Sequence, residues 1–179
     1  MTKIAVLVGS LRDGSFNHTL AKNLEKMAPE GVEFAYASLE MPLFNEDVEA
    51  ADFPAEATTL KELVESADGV LIATPEYNRS FPGVLKNAID WASRPWGQNS
   101  FDGKPAGIVG ASIGATGTTQ AQSQLRNVMV YLNTKLVGQP ELYINAPQTF
   151  DENGEVVESS RETLQAYIDT FVAHVNACK

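Results

Sequence analysis

Five short apolar segments, separated by stretches of helical period, constrain this chain's fold more than any other feature. They are residues 3–8 (KIAVLV), 32–35 (VEFA), 69–73 (GVLIA), 106–109 (AGIV) and 141–144 (ELYI). A strand apolar at consecutive positions buries both faces, which a parallel sheet covered by helices on either side provides. Between the segments, apolar residues recur at three- and four-residue spacing: Leu20, Leu24, Met27; Leu60, Val64; Leu85, Ile89, Ala92; Leu125, Met129, Leu132, Leu136; and Leu164, Ile168, Phe171, Val175. Ser159-Ser160-Arg161-Glu162 reads as a capping box opening the last helix. The alternation predicts an α/β fold, a doubly wound five-stranded parallel sheet with helices on both faces. At 179 residues the chain is expected to form a single domain over 1–179, given about 150 residues per domain. Such a sheet takes its ligand beyond the carboxyl ends of the strands, where strand order reverses. The loops after the first, third and fourth strands are therefore where function is expected.

Thirteen Lys and Arg against 23 Asp and Glu give a net charge of −10. Nucleic-acid binding, which needs a basic stripe, is excluded as a function class. The same field repels anionic small molecules, so any phosphate-bearing ligand must be held locally, by a helix N-terminus or an isolated Arg. Cys178 is the single cysteine, and with only His18 and His174 beside it no zinc-site spacing exists; no metal is expected. The apolar run of the opening segment is too short for a signal peptide or a membrane span, so a cytoplasmic protein without membrane association is expected. The acidic stretch 45–49 reads as a solvated loop.

The loop after the first segment reads Gly9-Ser10-Leu11-Arg12-Asp13-Gly14-Ser15-Phe16-Asn17. Two glycines permit a tight turn, Ser10, Ser15 and Asn17 supply polar groups around a helix start, and Arg12 adds a fixed positive charge. That set suits a phosphate monoester. A P-loop lysine, a Gly-x-Gly-x-x-Gly motif and a phosphatase cysteine are all absent from it, so binding fits better than phosphoryl chemistry. After the third segment comes Thr74-Pro75-Glu76-Tyr77-Asn78-Arg79-Ser80-Phe81-Pro82-Gly83. Its prolines stiffen it, and a rigid loop with backbone amides and an aromatic suits a flat heteroaromatic ring with polar edges.

Together with Leu85-Lys86-Asn87 and Asp90-Trp91, these two motifs resemble those of the NADPH-dependent FMN reductase family over about residues 3–134. The resemblance implies a flavodoxin-like fold, an FMN cofactor, and hydride transfer from NADPH or NADH to N5 of FMN. Electrons would pass on to a small-molecule acceptor: a quinone, an azo compound, a metal oxyanion or free flavin. It implies that Ser10, Arg12, Ser15 and Asn17 bind the FMN phosphate, with Phe16 contributing its backbone. Pro75, Glu76, Tyr77 and Asn78 would line the isoalloxazine ring, chiefly through main-chain groups, and Arg79 is a candidate contact for the NADPH phosphates. Hydride transfer calls for no protein acid or base. Family members form homodimers or homotetramers, and Trp96, Phe101 and Tyr131 are candidate subunit contacts.

The loop after the fourth segment, residues 110–118, supports two readings. Gly110-Ala111-Ser112-Ile113-Gly114 has the Gly-x-Ser-x-Gly form of a nucleophile elbow, and Asp151 and His174 follow in hydrolase order, which would make a serine esterase. Against this, His174 falls between Phe171 and Val175 in a terminal amphipathic helix. In the flavin reading Ser112 and Gly114 are cofactor contacts. A third reading is an electron-transfer flavodoxin without an NADPH site, for which an acidic chain is suited.

Overall fold

The computed structural model describes all residues, Met1–Lys179. In chain order the elements are β1 (Thr2–Val8), α1 (Phe16–Met27), β2 (Val32–Tyr36), α2 (Glu46–Ala51), α3 (Ala55–Ser66), β3 (Gly69–Ala73), α4 (Gly83–Ala92), β4 (Pro105–Ser112), α5 (Thr119–Tyr131), β5 (Lys135–Leu136), β6 (Leu142–Asn145), α6 (Ala146–Thr149) and α7 (Glu158–Ala177). The sheet is parallel throughout, ordered β2-β1-β3-β4, and the far edge of β4 is shared by two short strands. Pro105 and Ala106 pair with β5, and the stretch from Val109 to Ser112 pairs with β6. The expected fifth strand is thus split in two. Gly138 and Pro140 lie in the intervening segment, and a proline has no N–H to give the ladder.

Side chains of β1 alternate between two cores. Ile4, Val6 and Val8 face α1 and α7 in a cluster of 23 buried residues, while Ala5 and Leu7 face α3, α4 and α5 in one of 18. Helix α7 lies close on the sheet because Gly107 has no side chain: a Cβ there would stand 2.6 Å from Tyr167 Oη and 2.8 Å from the Phe171 ring. The chain order places β1 and β3 side by side with β2 on the outside, so strand order reverses between them. That reversal opens the crevice at their carboxyl ends.

Three local expectations are corrected. Leu136 does not continue the stripe of α5. The helix stops because Asn133 takes a left-handed backbone (φ 61°), with Asn133 N–H donating to Val130 O and Thr134 N–H to Met129 O, a Schellman closure. Leu136 then belongs to β5. The capping box at 159–162 does not form, because a bridge between Phe150 and Val156 keeps the chain extended and Val157 itself becomes the N-cap, without a side-chain bond. The acidic stretch is solvated but helical: Asn45 caps α2, its side chain accepting the Asp47 N–H, and no residue of α2 is buried.

Candidate active site

The first loop leaves β1 hard against the third. Gly9 N–H donates to Ala73 O at 2.9 Å, and a Cβ on Gly9 would come within 3.2 Å of Leu85 and 3.3 Å of Pro75. Ser10 is buried. Ser15 is the N-cap of α1, its Oγ accepting the Asn17 N–H at 3.2 Å, and Phe16 opens the helix. No acidic residue lies in the first turn of α1, so the partial positive charge of its amides is uncompensated. Arg12 is exposed, its guanidinium 5.5 Å from the Phe16 ring centroid and its Nη1 donating to Asp13 O. An exposed guanidinium with no carboxylate partner, two buried serines and a helix start share one short loop, a donor set that fits a phosphate monoester.

Asn17 is differently employed. Its Nδ2 donates to Ala111 O at 3.0 Å and its Oδ1 accepts the Ala111 N–H at 2.9 Å. Strand β3 ends at Ala73, opposite Val109, so β4 runs on past its neighbour. The Asn17 amide takes up both backbone groups of Ala111 there. Its carbonyl and one N–H are committed to tying α1 to β4, where the sequence suggested a side chain free for phosphate.

The loop after β3 is a miniature hairpin. Tyr77 and Ser80 exchange backbone hydrogen bonds of 2.9 and 3.0 Å, and the two residues between them, Asn78 and Arg79, both have positive φ (51° and 67°). Pro75 is buried, Glu76 half-buried, and Tyr77 is 50% exposed beside the exposed Asn78 and Arg79. Glu76 Oε2 accepts the N–H groups of Gln120 (2.9 Å) and Ala121 (3.0 Å) at the start of α5. Gln124 was not singled out by sequence, yet its Nε2 donates to Arg79 O and its Oε1 accepts the Ser80 hydroxyl, both at 2.7 Å. No local pattern marks a surface glutamine for this; only the packing of α5 beside the loop reveals it.

The loop after β4 completes the crevice. A Cβ on Gly110 would overlap the Thr74 carbonyl and the Thr118 hydroxyl, so this strand end lies directly against the loop from β3. Ser112 Oγ donates to Gly117 O at 2.8 Å and accepts the Gly114 N–H at 3.2 Å, and Gly114 itself is exposed. The esterase constellation does not assemble. His174 Nε2 lies 2.7 Å from the carbonyl of Lys135, which pairs with Pro105 at the opposite end of β4 from Ser112. Seven residue-to-residue rises of strand separate those ends, about 23 Å. Asp151 Oδ1 instead accepts from Asn153 and Glu155 N–H in its own turn.

Of the candidate subunit contacts, Phe101 is fully buried in the core and is corrected on that ground. Trp96 and Tyr131 are 80% and 74% exposed and border a groove of about 830 Å³ between α4 and α5. No helix is long and apolar enough to cross a membrane.

Comparison with known proteins agrees with this geometry. The chain is 51% identical over 176 residues to a 2-hydroxy-1,4-benzoquinone reductase from Burkholderia sp, covering 97% of this chain and 96% of that one. It is 41% identical over 174 residues to a quinone reductase from Pseudomonas putida, covering 96% and 94%. Among solved structures it superposes on FerB, a flavoenzyme NAD(P)H:(acceptor) oxidoreductase from Paracoccus denitrificans, with TM-score 0.93 and 42% identity, over 99% of this chain and 98% of that one. The family model described as NADPH-dependent FMN reductase matches residues 2–148, which contain all three loops, and the chain belongs to that family of flavin-dependent oxidoreductases.

Proposed function

We propose that residues 1–179 act as one flavodoxin-like domain that holds FMN across the three loops and uses NADPH or NADH to reduce a quinone. The carrying observation is the convergence at the ends of β1, β3 and β4: an uncompensated α1 N-terminus with Arg12 on one side, a rigid hairpin loop on the other. Ser10, Ser15, the Phe16 backbone and Arg12 hold the phosphate, locally reversing the chain's acidic field. Asn17 works through Ala111, keeping the phosphate loop and the β4 loop in register. Main-chain groups of residues 75–78, with Ser112 and Gly114, border the ring, and N–H dipoles there favour the negative charge that reduction brings. Bound FMN supplies hydride acceptance and donation, so no protein acid or base is needed. Arg79 is the proposed contact for a nicotinamide nucleotide's phosphate, a reading supported by its exposure beside the ring-side turn.

The quinone reductases among its relatives support a quinone as acceptor; azo compounds, metal oxyanions and free flavin are the other acceptors to compare. The chain is proposed to act in the cytoplasm and to assemble as a homodimer or homotetramer, with Trp96 and Tyr131 on the contact surface, a point that light scattering after size exclusion decides. The function is tested by titrating FMN into purified protein and following NADPH and NADH oxidation across that acceptor panel. Flavin uptake with quinone-dependent oxidation is expected. Absence of flavin uptake refutes the reading, and uptake without any nicotinamide oxidation would instead make the chain an electron-transfer flavodoxin.

A further inference from the structure

We infer that Glu76, seconded by Gln124, is a positioning residue that latches the ring-side loop onto α5 and, through its charge, holds the reduction potential of the bound flavin down. The inference rests on the flavin reading above. Helix α5 does not cap itself: Thr118 in the N-cap position makes no side-chain cap bond, its hydroxyl accepting instead from Gln122 Nε2, and the first turn contains no acidic residue. The missing acceptor comes from far off in sequence. Glu76 Oε2 receives the Gln120 and Ala121 N–H groups at 2.9 and 3.0 Å. One turn further along, Gln124 grips both Arg79 O and Ser80 Oγ at 2.7 Å. Four hydrogen bonds thus join residues 76–80 to the opening turns of one helix.

The loop needs such a hold. Asn78 and Arg79 both occupy left-handed backbone; asparagine tolerates it, but in Arg79 it costs about 1 kcal/mol or more, strain that persists only where surroundings over-determine it. A glutamine at position 76 would accept the same two amides, so the carboxylate adds something geometry does not require. It sets a negative charge against the positive end of α5, in the loop that borders the ring. Reduction brings negative charge to the ring, so this carboxylate opposes it and keeps the reduced flavin a strong donor toward an acceptor.

The test compares wild type with Glu76→Gln, Glu76→Ala and Gln124→Ala. The readouts are FMN affinity by quenching of flavin fluorescence, reduction potential by equilibration with indicator dyes, and melting temperature of the flavin-free protein. Glu76→Gln keeps an acceptor for both α5 amides, so it is expected to fold with at most the small loss in melting temperature of a charge removed from a helix N-terminus, while its potential moves positive, a shift that a purely structural role would not produce. Glu76→Ala and Gln124→Ala are expected to weaken FMN binding about tenfold, the scale of one or two lost hydrogen bonds. An unchanged potential in Glu76→Gln overturns the electrostatic role, a readout that stands even where Glu76→Ala fails to fold. Unchanged FMN affinity in both alanine variants overturns the latch. Wild-type protein that binds no FMN overturns both this inference and the flavin reading, whereas FMN-binding wild type with indistinguishable variants overturns this inference alone.

Discussion

Replacing Asn17 by alanine separates a residue that builds the site from one that touches the ligand. The Asn17 amide makes two hydrogen bonds of 2.9 and 3.0 Å to Ala111, and both residues are about 2% exposed. Each bond contributes about 1 kcal/mol net, and an orphaned buried backbone group costs about 1–3 kcal/mol. Some relaxation lets water reach one of the two groups, so a loss of about 3 kcal/mol is expected. For a chain of this length that lowers the melting temperature by about 6–12 °C. The assay is thermal and urea unfolding of the flavin-free protein, beside an FMN titration. Asn17→Asp is expected to be at least as unstable at neutral pH, because a carboxylate oxygen replaces the Nδ2 donor against the Ala111 carbonyl. If Asn17→Ala unfolds like wild type while its FMN affinity collapses, the side chain is a phosphate ligand and the reasoning from its partners is wrong.

Arg12→Ala is expected to weaken FMN binding roughly tenfold, with a smaller loss at high salt, since its guanidinium is screened by solvent; affinity titrations at two ionic strengths check this. Gly107→Ala forces its new methyl against Tyr167 and Phe171, which are fully buried, and should destabilise by about 1–3 kcal/mol in urea unfolding, with α7 the affected element. Ser112→Ala should leave any trace esterase activity unchanged, as measured with an activated ester, because His174 lies at the far end of the sheet. Asp68 Oδ2 accepts the Lys3 N–H at 2.8 Å and lies 3.4 Å from Lys179 Nζ, and the backbone hydrogen bond, ahead of the lysine, holds its carboxyl below the usual range. A depressed folded-state pKa adds stability above the unfolded value and loses it as pH falls through the folded one. The stability gap between wild type and Asp68→Asn should therefore be full at neutral pH and close below about pH 4 in urea unfolding.

What could be read from the chain alone was whatever depends on neighbours in sequence. Continuous apolar runs such as 69–73 and 3–8 fall as central strands because burial on both faces leaves a period-two chain no polar positions. The α1 cap at Ser15 and the helix start beside Arg12 are local as well, and in the proposed phosphate site they are what would offset the net charge of −10. Tertiary structure decided everything that depends on which strand lies beside which. Asn17 and Ala111 are 94 positions apart, and Glu76 and Ala121 are 45 apart; they meet because β1, β3 and β4 are adjacent. Nothing in their spacing encodes this. The same ordering put Ser112 and His174 at opposite ends of the sheet, although their order along the chain suits a hydrolase. Periodicity reports burial and caps, because these are set within a turn or two of backbone; hydrogen-bond partners of a buried amide or carboxylate are set by strand order, which the chain expresses only once folded.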